Sequence, residues 1–177
     1  ARYILGKQLS SGGWSLYPGG RPDISVSVKA YFALKLTGHD PDSEPLRRAR
    51  AAIRAGGGAD AANSFTRLFL ALLGQIGYEH CPAVPPEAVL LPTWAPVNMY
   101  RISAWSRTIF VPLSVMWAHR PARELELARG IRELFLRDPP DWPAPRCPGL
   151  DTSRGWFTWE RFFRSLDAAL KRAERWR

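Results

Sequence analysis

The stretch Gln8-Leu9-Ser10-Ser11-Gly12-Gly13-Trp14 decides how this chain is read. It places a two-headed amide, a tight bend and a large flat ring within one short loop. Paired glycines reach backbone angles closed to other residues. The Gln amide can donate and accept at neighbouring helix ends, and the indole can cover a junction with apolar area. Such a loop fastens helices together. Working outward, the next blocks are Tyr17-Pro18-Gly19-Gly20, then Lys29-Ala30-Tyr31-Phe32-Ala33-Leu34-Lys35, Phe65-Thr66-Arg67 and Trp105-Ser106-Arg107-Thr108, in that order.

Composition narrows the field. With 177 residues and 46% hydrophobic content, the chain can bury a core as one domain or a large part of one. The net charge of +9 comes from 25 Lys and Arg against 16 Asp and Glu. The arginines are spread from Arg2 to Arg177 and alternate with carboxylates in Arg123-Glu124-Leu125-Glu126 and Arg132-Glu133, the pattern of solvated helix faces rather than of a nucleic-acid arm. Cys81 and Cys147 stand in no CxxC or Cys/His ligand spacing, and His39, His80 and His119 form no pair, so neither a zinc site nor a disulfide framework is expected. The most apolar run, Ile109 to Ala118, falls short of the roughly 20 residues that span a bilayer. It is interrupted by Pro112 and Ser114 and reads as a buried, bent helix. The chain opens at Ala1 in mid-pattern, and coding sequence is expected on both sides.

Periodicity predicts helices almost throughout. One covers the block from Ile24 to Leu36. A second runs from Glu44 to Ala55, with Leu46, Ala49, Ala52 and Ile53 on one stripe, and stops at Gly56-Gly57-Gly58. A third starts near Asn63 or Ser64, both good caps, with Phe65, Leu68, Phe69, Leu72 and Leu73 on one face. Pro85-Pro86-Glu87 opens a short helix ending near Leu91. Further helices are expected from Met99 to Ala118, bent at Pro112, and from Arg123 to Leu136, with Leu125, Ala128, Ile131, Leu134 and Phe135 inward. Asp138 to Gly149 is proline-rich loop. A last helix sets Trp156, Trp159, Phe163, Leu166, Leu170 and Ala173 on one face and Arg161, Arg164, Lys171 and Arg172 on the other. Helices in succession without a strand run imply an all-α architecture of helical hairpins, curved into a solenoid or ring.

Taken together, the ordered blocks resemble the squalene-hopene cyclases, the bacterial class II triterpene cyclases. Gln8, Gly12 and Trp14 resemble that family's QW motif, which ties together the outer helices of its α/α barrels. The blocks at Tyr17, Val28 to Lys35, Phe65, Val84 to Glu87, Trp105 and Ile131 to Phe135 follow the family's order across nearly the whole chain. The resemblance implies an α/α barrel (toroid), with residues 1–177 an incomplete part of the smaller, N-terminal-side barrel domain of a two-barrel enzyme. The family's catalytic acid lies in a DxDD motif that does not occur here. It belongs to the other barrel, so this piece alone is expected to be inactive. Asp40-Pro41-Asp42 and Asp138-Pro139-Pro140-Asp141 have loop composition and are not read as an acid pair. The chain departs from many members at Gly56 to Ala62 and from Cys147 to Trp156, which bears on loop geometry more than on chemistry.

The implied chemistry begins with protonation of a terminal alkene and proceeds ring by ring through carbocations. Cations of this kind need electron-rich walls that are not nucleophilic, and aromatic faces provide them. By resemblance, Trp105 and Phe65 line the substrate cavity, Arg107 supports the acid region, and Ile102 and Phe110 border the substrate channel. Two aromatic faces at about 0.5 to 2 kcal/mol each fall far below the roughly 8 to 23 kcal/mol of enzymatic acceleration, so the proton source must lie elsewhere. The resemblance further implies squalene as substrate, no cofactor and no nucleic acid. It places the protein at the cytoplasmic side of the cell membrane as a monotopic, peripheral protein, with a homodimer among the assemblies open to it. A sister cyclase acting on another polyprenyl chain, or a helical-repeat binding scaffold, are the competing expectations.

Overall fold

The computed structural model describes residues 1–95, 98–138 and 159–175. It divides into two compact units: Ala1–Ile76 with Arg123–Cys147, and Gly77–Ala122 with Pro148–Arg177. Both are helical; the strand content of the described residues is one ladder of two-residue strands, which places the chain in the all-α class.

The first unit begins with the short helix α1 (Arg2–Gly6), followed by β1 (Trp14–Ser15) and β2 (Pro22–Asp23). The strands are antiparallel, with Trp14 opposite Asp23 and Ser15 opposite Pro22. No strand was expected here; the Tyr17-Pro18-Gly19-Gly20 turn, closed by the Gly20 amide on the Tyr17 carbonyl at 3.0 Å, folds the chain back far enough to form one. Asp23 then caps helix α2 (Ile24–Leu36), its carboxylate accepting from the Val26 amide at 2.8 Å. The alternation at Ile24, Val26 and Val28 therefore belongs to a helix, because its cap precedes it.

Helix α3 (Glu44–Ala55) packs along α2 as the second arm of a helical hairpin. Its Leu46, Ala49 and Ile53 join Val28, Tyr31, Phe32 and Leu34 of α2 in the core, and Trp14, Ala59, Leu70, Ile131 and Leu134 complete it. Removing a side chain of this size from such a core costs about 2 to 5 kcal/mol.

Helix α4 (Ser64–Leu72) starts where the sequence places it, with the Asn63 side chain accepting from the Thr66 amide at 2.9 Å. The buried face does not coincide with the apolar face read from the spacing. Thr66, Arg67, Leu70 and Ala71 point inward with Leu68, whereas Phe65 and Phe69 face out. The helix is apolar nearly all round, so periodicity alone does not choose a side. The choice follows from Arg67, whose guanidinium donates to the carbonyls of Asp60 at 2.6 Å and Ala62 at 3.2 Å, both inward of the helix start.

The helix expected from Arg123 to Leu136 does not form. Two short 3-10 turns, Leu127–Arg129 and Arg132–Leu134, stand there instead, with Leu127 exposed and Ile131 and Leu134 in the core. Gly130 and Ile131 separate them. Side chains from elsewhere in the unit take the backbone groups that a helix would have paired. Lys35 donates to the Gly130 carbonyl, Gln75 accepts from the Ile131 amide, and Arg54 donates to the carbonyls of Glu133 and Phe135. The buried Asp60 carboxylate accepts from the amides of Leu136 and Arg137. A buried backbone group needs a partner but not a helical one.

In the second unit, Pro86–Leu90 forms a 3-10 turn packed against helix α5 (Ala104–His119). Helix α5 begins five residues later than expected, because Asn98 and Ser103 hold the preceding backbone in turns. Pro112 lies inside it, and Trp117 and Ser114 are its buried residues. Helix α6 (Trp159–Arg175) reaches the rest of the unit through Asp167, which accepts from the Ala83 amide at 2.6 Å, and Lys171, whose ammonium lies 5.9 Å from the Trp117 ring centre. Leu166 and Ala173, expected on its apolar face, are exposed, and Leu170 is half-buried. Trp156, the Asp138 to Gly149 loop beyond Asp138, and the departure from Cys147 to Trp156 lie outside the described residues.

Candidate functional site

The loop from Gln8 to Trp14 gathers three helices. The Gln8 side-chain amide donates to the carbonyls of Gly12 and of Pro45, in the first turn of α3, both at 2.8 Å. The Trp14 indole N–H donates to the Ile4 carbonyl of α1 at 2.7 Å, and its backbone N–H to Ser27 Oγ of α2 at 2.9 Å. Arg48 of α3 donates back to the carbonyls of Leu9 and Ser10. Gly12 sits at φ +91°, and a Cβ there would stand 2.6 Å from the Arg48 carbonyl oxygen. The bend therefore requires glycine twice over, for its angle and for its closeness to α3.

A second polar centre, not foreseen from sequence, lies between α2 and the Ile131–Phe135 segment. Glu133 accepts from the Tyr31 hydroxyl at 2.8 Å and from Lys35 at 2.6 Å. Burial pushes the Glu133 carboxyl upward, but hydrogen bonds from Lys35, its own backbone and Tyr31, together with the Lys35 charge, hold it below the usual carboxylate range. Burial first, and the hydrogen bond to Glu133 second, push the Tyr31 phenol above the usual tyrosine range. The signal was Lys35 itself: a lysine on the inner face of an apolar helix demands a carboxylate partner.

The expected substrate-facing residues divide between the units. Phe65 stands on α4 in the first and is 60% exposed. Trp105, in the first turn of α5 in the second, is 75% exposed. Neither ring packs inside its own unit. Arg107 and Phe110 share α5 with Trp105 and are half-buried, and Ile102, also half-buried, immediately precedes the Ser103 cap. Phe69 adds to the outward face of α4, edge-on to Phe32 at 6.4 Å between ring centres.

These groups can hold helices and present aromatic faces; none is placed to give a proton to an alkene. Glu133 is kept ionised, and the Asp60 carboxylate is committed to two backbone amides. Among the described residues no group of three or more His, Cys, Asp or Glu could hold a metal ion, and no helix is long and apolar enough to cross a membrane.

The sequence matches the family model described as the squalene-hopene cyclase N-terminal domain over residues 1–177. The chain is 43% identical over 173 residues to the squalene-hopene cyclase of Zymomonas mobilis, covering 98% of this chain and 25% of that protein. It is 43% identical over 174 residues to that of Bradyrhizobium diazoefficiens, covering 96% and 25%. With that of Alicyclobacillus acidocaldarius it shares 38% over 169 residues, again 96% and 25%. The chain thus spans about a quarter of the length of the curated relatives it matches. With its helix-tying loop, its all-helical class and a match along its whole length, the chain belongs to the squalene-hopene cyclase N-terminal domain family.

Proposed function

We propose that this chain is part of a squalene-hopene cyclase, an enzyme that folds squalene and converts it to hopene or hopanol by acid-initiated carbocation cyclisation. The observation that carries this reading is the 43% identity, along nearly the entire chain, to proteins named for that reaction. In it, residues 1–177 form part of the N-terminal-side α/α barrel, and a second barrel supplies the acid. The α2–α3 hairpin and the loop that ties it to α1 support an array of helical pairs.

The reaction starts when a carboxylic acid gives its proton to a terminal alkene. The cation then moves through successive ring closures until a proton is lost, giving hopene, or water adds, giving hopanol. Trp105 and Phe65 form part of the cavity wall in this scheme, where their π faces stabilise passing positive charge without bonding to it. Their exposure supports the role, since a wall residue is one its own unit leaves uncovered. Arg107 serves the acid region, and Ile102 and Phe110 line the channel by which the hydrocarbon enters.

A C30 hydrocarbon resides in the bilayer, so the enzyme works as a monotopic protein on the cytoplasmic side of the cell membrane. Exposed Leu90 and Trp94 in the second unit and the net charge of +9 support attachment to an anionic lipid surface. The test is to incubate the complete enzyme with squalene and identify the products by gas chromatography and mass spectrometry. Hopene or hopanol supports the reading; recovery of unchanged squalene, with turnover of a different polyprenyl chain, overturns it.

A further inference from the structure

Asn98 is a polar side chain in an irregular segment, yet it is only 2% exposed. Its amide is fully used. The Nδ2 group donates to the carbonyls of Thr93 at 3.1 Å and Ala95 at 2.8 Å. Oδ1 accepts from the backbone amides of Tyr100 at 3.0 Å and Arg101 at 3.1 Å. One side chain thus satisfies two acceptors before it in the chain and two donors after it, the full capacity of a primary amide on two sides. The donor half reaches back to Thr93 and Ala95; the acceptor half holds the run into α5. Two residues beyond Arg101 stands Ser103, whose hydroxyl accepts from the Ser106 amide at 3.1 Å. The two caps act in series, and between them lies Ile102.

We infer that Asn98 is a positioning residue for substrate, acting through Ile102 and Trp105: its acceptor half fixes where α5 begins and hence where both side chains stand. This rests on the reading of those two residues as substrate-facing. The physical ground is that both are partly or largely uncovered by their own unit, so packing leaves their placement to the backbone that carries them. At this point the Tyr100 and Arg101 amides donate to one side-chain oxygen, and the Arg101 N–H is shared with the Asn98 backbone carbonyl at 3.2 Å. A shift of about 1 Å in a positioning element can lower turnover about 100-fold.

Two substitutions separate the halves. Asn98→Ser keeps a side-chain oxygen for the Tyr100 and Arg101 amides while losing the donors to Thr93 and Ala95, and brings no charge into this buried position; Asn98→Ala loses both. In the complete enzyme, Asn98→Ala is expected to lower kcat/KM for squalene about 100-fold and to change the product ratio, while Asn98→Ser stays within about tenfold of wild type. Amide hydrogen exchange, which needs no turnover, reads the same question. In Asn98→Ala the Ser106, Arg107 and Thr108 amides should exchange about tenfold faster or more, and in Asn98→Ser they should stay protected. Equal losses in the two variants, or faster exchange confined to residues 93–101, would overturn the assignment. If wild type leaves squalene untouched, the functional reading fails while the exchange comparison still decides the role of Asn98. If Asn98→Ala does not fold, Asn98→Ser decides: retained kcat/KM and α5 protection support the inference, and loss of both refutes it.

Discussion

Gln8 and Pro45, 37 residues apart in sequence, are joined by a single amide-to-carbonyl hydrogen bond of 2.8 Å. The same amide nitrogen closes the loop onto Gly12, so one side chain holds both the bend and its attachment to α3. Gln8→Ala is expected to destabilise the protein by about 1 to 3 kcal/mol, the cost of removing the side-chain donor from the Gly12 carbonyl and leaving the Pro45 carbonyl with its helical bond alone. Urea unfolding of the two proteins measures it, and a difference below about 0.5 kcal/mol would show that the amide ties nothing of consequence.

Gly12 and Gly19 provide a matched pair. Both have positive φ, +91° and +76°, but a Cβ at Gly12 meets the Arg48 backbone whereas one at Gly19 meets open space. Gly19→Ala should cost about 1 to 2 kcal/mol, the left-handed penalty alone. Gly12→Ala should cost clearly more, because α3 must also move away. Thermal unfolding midpoints should fall in that order, and equal shifts would contradict the close approach.

The Lys35–Glu133 pair predicts a pH dependence with a definite sign. Glu133 is held below its ordinary range in the folded state, so it contributes stability above the unfolded carboxylate pKa and loses that contribution as pH falls through its depressed native value. Tyr31 is shifted upward, so its contribution is complete below the ordinary tyrosine range and is lost as pH rises through its native value. Glu133→Gln should cost about 1 to 3 kcal/mol at neutral pH, and the gap to wild type should close in acid. A gap that is constant from neutral to acid pH would refute the ion pair.

These two glycine and carboxylate cases mark what sequence can and cannot convey. The bounds of α2 and α3 were legible because their caps and stops are local: Asp23 before Ile24, and three glycines after Ala55. The start of α4 was legible from Asn63 for the same reason. Its inner face was not, because Phe65, Leu68, Leu70 and Ala71 give apolar character on both sides and a buried Arg67 settles the matter through Asp60 and Ala62. The Arg123 to Leu136 pattern failed for a related reason. Its apolar spacing fits a helix, but side chains of Lys35, Arg54, Asp60 and Gln75, distant in sequence, satisfy a different backbone path. The helix-tying role of the Gln8 to Trp14 loop was legible because the amide, the glycines and the indole stand together in sequence, and the Asn98 and Glu133 centres, which depend on tertiary partners, were not.

Phe65 and Trp105 separate stability from turnover. Both side chains are largely exposed here, so Phe65→Ala or Trp105→Ala should change the stability of this 177-residue chain by no more than about 0.5 kcal/mol. In the complete enzyme each should lower kcat for squalene about 2- to 30-fold, the equivalent of losing about 0.5 to 2 kcal/mol of cation stabilisation. A kcat unchanged in both Phe65→Ala and Trp105→Ala would remove these rings from the cavity wall.

The most direct measurement is a crystal structure of the complete enzyme with a squalene analogue bound. Enclosure of a cationic polyene predicts that Trp105 and Phe65, 75% and 60% exposed in this chain, become covered and that both rings lie in van der Waals contact with the hydrocarbon. Rings still facing bulk water, with the analogue held against other walls, would contradict it.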